Sequence, residues 1–231
     1  MTLETIAHVR TDFPDKFGLP RQSGIVPELT GRIVFEKEYR NPDALRGLEG
    51  YSHLWIIWGF SGAFASAGEE RKWSPTVRPP RLGGNRRMGV FATRSPNRPN
   101  PIGLSCVKLK SVEYGTSEGA VIHISGIDMM DGTPVYDIKP YLPHADCQPD
   151  AMGGFSADVT GQRVEVLADD ALLAKLPEDK RGGLIALLKE DPRPSYQNDP
   201  ERIYGFPYAG FEVQFTVDGG VLTVRGIDKI R

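Results

Sequence analysis

Tyr51-Ser52-His53-Leu54-Trp55-Ile56-Ile57-Trp58-Gly59-Phe60 is a nearly continuous run of β-branched and aromatic side chains. Side chains of this kind pack well on a pleated surface and lose rotamer freedom in a helix. The run therefore reads as a strand, either buried on both faces or crossing the middle of a closed sheet. No apolar run in the chain approaches the roughly 20 residues that a membrane-spanning helix requires. A fold built around a strand of this character is mainly β.

Upstream of the run, His8-Val9-Arg10 and Arg32-Ile33-Val34-Phe35-Glu36 read as strands, parted by a loop from Phe17 to Gly24. Asp43 to Gly47 has room for one or two helical turns, ended by Gly47. Downstream, Met88 to Thr93 reads as a strand followed by a Pro-rich loop. Gly103 to Lys110 alternates, with Leu104, Cys106, Val107 and Leu109 as its apolar members. Ala120 to Gly126 is a further strand, and Asp131-Gly132-Thr133-Pro134 is a turn. Val135 to Ile138 is short and extended, because Pro140 and Pro143 limit helix formation. Around Gln148 to Ala157 the sequence loosens into small and polar residues, and the rhythm then changes. Asp169 to Leu176 and Lys180 to Lys189 look helical, the second with Leu184, Leu187 and Leu188 on one face. Gly210 to Val217 and Val221 to Ile227 alternate around Asp218-Gly219-Gly220, a hairpin signal. The expected organisation is a β-rich domain over residues 1–150 and a small α+β C-terminal domain over 158–231.

Composition agrees with many turns and short strands: 26 Gly and 19 Pro in 231 residues run above average. The first residues carry acids and no apolar core, so they do not read as a secretory signal. Cys106 and Cys147 are too few for a disulfide framework and lack metal-type spacing, which fits two reduced cysteines in a cytoplasmic protein. A net charge of −2 hides an asymmetry. From Arg71 to Ser111 there is no Asp or Glu, while the same span holds ten Lys and Arg residues. One concentrated basic segment in an otherwise acidic chain points to an anionic partner.

Within that segment, Arg78-Pro79-Pro80-Arg81-Leu82-Gly83-Gly84-Asn85 and Arg94-Ser95-Pro96-Asn97-Arg98-Pro99-Asn100-Pro101 combine prolines with arginines. Prolines restrict the backbone, so less entropy is lost when the flanking side chains grip a ligand. Arginines present planar forks to phosphate or carboxylate. A phosphate loop ending in Lys-Ser/Thr and a dinucleotide fingerprint are both lacking. A second cluster, Asp128 to Tyr141, sets three carboxylates and two tyrosines beside apolar residues. A carboxylate there is suited to a ribose hydroxyl, a cationic centre or a proton. Turn capping by Asp128 and Asp131 is the competing reading. In the third, Asp191-Pro192-Arg193-Pro194-Ser195-Tyr196, the prolines stop a helix, and Arg193 and Tyr196 are suited to a phosphate and a base. His8, His53, His123 and His144 have no metal-type spacing, so no metal site is expected.

These strings resemble the signature of a tRNA methyltransferase family. Its members methylate N6-threonylcarbamoyladenosine at position 37, beside the anticodon, with S-adenosyl-L-methionine. The resemblance runs through Arg78 to Asn85, Gly89 to Ser95, Arg98 to Gly103, Asp131 to Pro134, Asp137 to Tyr141, Lys16 to Gln22, Ser52 to Trp55 and Asp191 to Pro194. It implies a single-sheeted β-barrel, a small C-terminal domain, a cytoplasmic homodimer and a tRNA partner. It also implies a cofactor pocket of Pro20, Arg21, Gln22, Arg94, Leu104, Ser125, Gly126, Ile127 and Asp128. Ser61 and Gly62 stand where relatives carry a polar pair that meets the cofactor. Asp131 and Tyr136 are the candidate catalytic groups near the accepting nitrogen. Arg78, Arg81, Arg98, Asn100, Lys139, Arg193 and Tyr196 are the candidates for holding tRNA. The alternatives are a non-catalytic module that binds RNA or nucleotide, and a methyltransferase acting on another small substrate.

Overall fold

In the computed structural model, which describes residues 2–60, 73–79, 86–159, 163–193, 197 and 199–230, the aromatic run is one stave of a closed barrel. Six antiparallel strands form it: β1 (Ala7–Thr11), β2 (Thr30–Phe35), β3 (His53–Gly59), β6 (Ile102–Thr116), β7 (Gly119–Ser125) and β8 (Pro134–Pro140). Their order around the barrel is β1-β2-β7-β6-β3-β8, and β1 closes on β8. The two short strands β4 (Thr76–Val77) and β5 (Met88–Gly89) make a separate ladder.

Closure settles the reading of β3. Leu54, Ile56 and Trp58 point into the barrel and are buried, whereas His53, Trp55 and Ile57 lie on an outer face that is only half covered. The strand is thus a closed-sheet strand with one buried face, not one buried on both. A barrel has no unpaired edges, so its outer face can meet solvent without inviting other strands. Trp55 uses that freedom: its indole packs beside Tyr141 at 5.9 Å and donates to Asp146 at 3.0 Å.

Two expectations from the sequence need correction, and the alternation expected over Gly103 to Lys110 is assigned its two faces. Leu104 and Cys106 are on the outer phase of β6, and Gly103, Ser105 and Val107 face inward. The expected strand over Met88 to Thr93 pairs as a strand only at Met88–Gly89, and Val90 to Ala92 form a 3-10 turn. There, Val90 donates its backbone N–H to Pro75 and Thr93 returns its hydroxyl to the Val90 carbonyl, a local bond that outweighs β propensity. The helix expected over Asp169 to Leu176 is reduced to α2 (Asp170–Leu173), because Pro177 disfavours the helical region for the residue before it.

The C-terminal part adds a sheet of order β10-β11-β12-β9, with β9 (Glu165–Leu167), β10 (Tyr204–Tyr208), β11 (Phe211–Asp218) and β12 (Val221–Lys229). β11 and β12 are the expected hairpin. β10 was hidden because Gly205 and Pro207 read as turn residues; it is an edge strand, where a missing N–H is tolerated. The helix α3 (Glu178–Lys189) buries Leu184, Leu187 and Leu188 as expected. A four-residue helix, α1 (Pro143–Asp146), lies between the barrel and this sheet in the chain.

One apolar core runs from the barrel interior into the C-terminal sheet, through the loop Asp12 to Leu29 that joins β1 to β2. Phe13 meets Tyr208 with ring centroids 5.3 Å apart, and Phe17 meets Phe206 at 6.3 Å. Gly18, at φ +90°, lies so close beneath Phe206 that a Cβ would sit 2.4 Å from the ring. Lys180 on α3 pairs with Asp12 at 2.6 Å, and the Tyr208 hydroxyl donates to the Lys180 carbonyl at 3.1 Å. Burial holds the Tyr208 phenol well above its ordinary range, so it remains a donor. Tyr208→Phe removes that bond and is expected to cost about 1 kcal/mol. Thermal unfolding followed by circular dichroism should show a fall of about 2–4 °C; an unchanged midpoint would mean that the hydroxyl contributes nothing.

Candidate functional site

Asp128 is the chemically unusual group of the described residues. It follows β7 across Gly126, whose φ of +74° turns the chain back on itself. Gly126 accepts the Gly24 N–H at 2.8 Å and donates its own to Leu29, also at 2.8 Å. These two bonds lay the end of the β1–β2 loop against the exit of β7. A Cβ on Gly126 would come within 3.2 Å of the Gly24 Cα, so the close approach needs glycine here.

The carboxylate accepts the Ser105 hydroxyl at 2.6 Å, and the Ser105 oxygen in turn accepts the Trp58 indole N–H at 2.9 Å. Ser105 has one proton, so the chain is directional, from Trp58 through Ser105 to Asp128. The Ser23 backbone N–H also donates to Asp128, and the positive charge of Arg94 acts on it. Burial outweighs all of these and raises the Asp128 pKa to about 6. The group is ionised at neutral pH with little in reserve. A carboxylate kept in such surroundings is a marker of function rather than of stability.

Arg94 reaches across from the proline loop and donates to the Gln22 side-chain oxygen. Gln22 donates to the Arg21 carbonyl at 2.5 Å, and the Ser23 hydroxyl accepts the Cys106 backbone N–H at 3.0 Å. Gln22, Ser23, Arg94, Ser105 and Asp128 are therefore linked by hydrogen bonds and charge, with the Gly126 turn beside them, although the chain brings them from four separate segments. Pro20 is buried beneath the loop. Leu104, beside Ser105 but on the outer phase, is 50% exposed and offers an apolar surface. Ser125 and Ile127 are buried, with Ile127 at 0% exposure and packed into the core. Arg21 reaches the Arg193 carbonyl at 3.5 Å, which ties the loop to the C-terminal part.

The set fits S-adenosylmethionine by its chemistry: a carboxylate acceptor, a guanidinium beside a carboxamide, a glycine-lined turn and an exposed leucine. The acceptor suits a ribose diol or an amino group, and the guanidinium suits a carboxylate.

Asp131 and Tyr136 lie apart in their contacts. Asp131 accepts the Thr11 backbone N–H at 3.0 Å and faces Arg10 at 3.6 Å, at the rim of a cleft of about 690 Å³ also lined by Arg32, Lys110, His123 and Lys180. The Tyr136 hydroxyl lies against Gly59 at the end of β3, where a Cβ would be 2.3 Å away. Arg98 donates to the Thr93 carbonyl at 3.1 Å and braces the proline loop, and Arg78 is exposed. The Asn100 carbonyl accepts the Ile102 N–H at 2.8 Å, and Lys139 pairs with Asp137 at 2.8 Å. Arg193 is committed to Asp191, at 3.0 and 2.9 Å to its two oxygens, with only 15% of its side chain exposed. Ser61, Gly62, Arg81 and Tyr196 lie outside the described residues.

Sequence reasoning missed Ser23, Ser105 and Trp58. Trp58 read as core, which it also is. The one available signal was Ser105, a hydroxyl on the same strand phase as Gly103 and Val107. An inward polar group has to find a partner.

The chain is similar to known proteins along most of its length. A family model described as the tRNA-methyltransferase O N-terminal domain matches residues 8–147, and one described as the TrmO C-terminal domain matches residues 163–230. A tRNA (adenine(37)-N6)-methyltransferase of Escherichia coli K12 is 41% identical over 220 residues, covering 93% of this chain and 90% of the relative. A Pseudomonas aeruginosa protein described as a putative S-adenosylmethionine-dependent methyltransferase is 45% identical over 177 residues, covering 77% of this chain and 69% of the relative. The crystal structure of TrmO from P. aeruginosa superposes with a TM-score of 0.78 at 30% identity, over 99% of this chain and 97% of that one.

Proposed function

Since the chain belongs to the tRNA-methyltransferase O family, we propose that it methylates N6 of adenine 37 in tRNA, with S-adenosylmethionine as the donor. The observation that carries this reading to particular residues is the contact set of Asp128, Ser105, Arg94 and Gln22 around the glycine turn. The cofactor supplies an electrophilic methyl group on a sulfonium centre.

The chain's own residues bind and orient. Asp128, aimed by Ser105 and the Ser23 N–H, is the anionic acceptor for the cofactor's hydroxyl or amino groups. Arg94 and Gln22 hold its carboxylate. Leu104 supplies an apolar part of the pocket wall. The barrel fixes all of these on rigid strands, and alignment of the accepting nitrogen with the methyl–sulfur axis is worth at most about 7–11 kcal/mol. Of the two catalytic candidates we favour Tyr136, whose hydroxyl lies against Gly59 at the end of β3. The Thr11 N–H and Arg10 already engage Asp131, which we assign to closing the turn before β8.

The finer points belong to the same reading: a threonylcarbamoyl group on the adenine, the anticodon arm gripped by Arg78, Arg81 and Arg98, a homodimer, a cytoplasmic location, and a barrel domain over 1–150 followed by a C-terminal domain over 158–231. Among the described residues no helix is long and apolar enough to cross a membrane.

Transfer of labelled methyl to tRNA purified with and without the threonylcarbamoyl group tests the substrate. Incorporation should require the modified tRNA and fall at least tenfold without it. Equal incorporation would remove the threonylcarbamoyl requirement, and none into either tRNA would remove the reading.

A further inference from the structure

Trp73 and Phe91 are the part of the basic segment that cofactor binding does not use. Their rings are 6.2 Å apart and inclined at 33°, and they stand 49% and 74% exposed. Two large aromatic side chains left in solvent together are an uncommon surface, of the kind that marks a binding site. Their support is rigid. The β4–β5 ladder pairs Thr76 with Gly89 and Val77 with Met88, and buried Val90 donates to Pro75. Phe91 is thus held by bonds on both sides and Trp73 by the ladder that follows it, which limits the freedom lost on binding.

We propose that the Trp73–Phe91 pair is a stacking platform for an unpaired RNA base next to the target nucleotide. The proposal rests on the tRNA reading above. Every base has a π face, and stacking on aromatic side chains beside a positively charged path is the general means of holding single-stranded RNA. The charge is present: exposed Arg78, Arg86 and Arg87 flank the ladder, and the chain has no acid from Arg71 to Ser111. Phe91 is three residues before Arg94, which contacts Gln22 and acts on Asp128. Three residues reach at most about 10 Å, a span of a few stacked nucleotides at about 3.4 Å each. A base on the platform is therefore a near neighbour of one delivered to the cofactor site. Charge also speaks against a second copy of the chain as the occupant. A two-fold contact would set this arginine-flanked surface against its own image, like charge on like.

The test uses the full chain, a fluorescein-labelled anticodon stem-loop and a blunt duplex made from the same stem. Phe91→Ala should weaken stem-loop binding by about tenfold or more while changing duplex binding by less than about twofold. Phe91→Tyr should keep the wild-type affinity, and Phe91→Leu should lose it, which separates stacking from apolar area. Calorimetric S-adenosylmethionine binding should be the same in all four proteins. Equal losses on both RNAs, wild-type affinity in Phe91→Leu, or dissociation of a dimer by Phe91→Ala in light scattering would each overturn the platform. Failure of the wild type to methylate tRNA strikes the functional reading instead. The Phe91 pattern on the stem-loop would still decide the platform by itself.

Discussion

Asp128→Asn is expected to bind S-adenosylmethionine about 10- to 100-fold more weakly than the wild type. Hydrogen bonds to a charged group contribute about 1.5–3 kcal/mol each, and the amide replaces an anionic acceptor with a neutral one. The wild-type affinity should also depend on pH. Burial raises the Asp128 pKa to about 6, so the carboxylate that receives the cofactor is lost as pH falls through that value. Calorimetry should show the wild-type dissociation constant rising below about pH 6, and a flat profile for Asp128→Asn. Stability should move the other way. An acid whose pKa is raised on folding destabilises the fold above the folded pKa and costs nothing below the unfolded one, near 4. Without cofactor at pH 7, Asp128→Asn should therefore be the more stable protein, by up to roughly 3 kcal/mol. That advantage should shrink between pH 6 and pH 4. A variant that is both less stable at pH 7 and unimpaired in cofactor binding would show Asp128 to be an ordinary structural acceptor.

Gly103→Ala is expected to be strongly damaging for so small a substitution. A Cβ there would lie 2.2 Å from the Trp58 indole. That ring is also held by Phe60, with centroids 4.3 Å apart, and by its bond to Ser105. Overpacking of this kind costs about 1–3 kcal/mol, or a fall of about 3–10 °C in the unfolding midpoint. Because Trp58 orients Ser105 and Ser105 holds Asp128, weaker cofactor binding should accompany the lower midpoint. Gly182→Ala in α3 provides the contrast. Its Cβ meets nothing within 4 Å, and alanine is the better helix former by about 1 kcal/mol, so that variant should be neutral or slightly stabilised. Equal midpoints for the two variants would show that the contact between Gly103 and Trp58 is not a tight one.

Much of the architecture was legible in local pattern. The barrel strands around Val9, Ile33, Ile56 and Ile122, the leucine face of α3 and the C-terminal hairpin all rest on the spacing of apolar residues along a few turns or pleats. The misreadings occurred where a local rule met a competing one. Met88 to Thr93 had the composition of a strand, but the Thr93 hydroxyl and the Pro75 carbonyl bonded a turn instead. Tyr204 to Tyr208 had turn residues, but an edge position made them tolerable. The outward direction of Leu104 was not legible, because alternation alone does not say which phase of a strand faces the core.

The sequence by itself determined the mainly β class, the basic segment and, through its long proline-containing strings, the family. These are properties of neighbouring residues, and neighbours are given by order along the chain. Only the tertiary structure decided that Ser105, and not Leu104, faces the barrel interior. It also decided that Trp58, Ser105 and Asp128 form one hydrogen-bonded chain across sequence separations of 47 and 23 residues. Strand phase is set by closure of the barrel, which allows each strand a single register against both of its neighbours. The Asp128 pKa, and with it the proposed cofactor chemistry, depends on that closure.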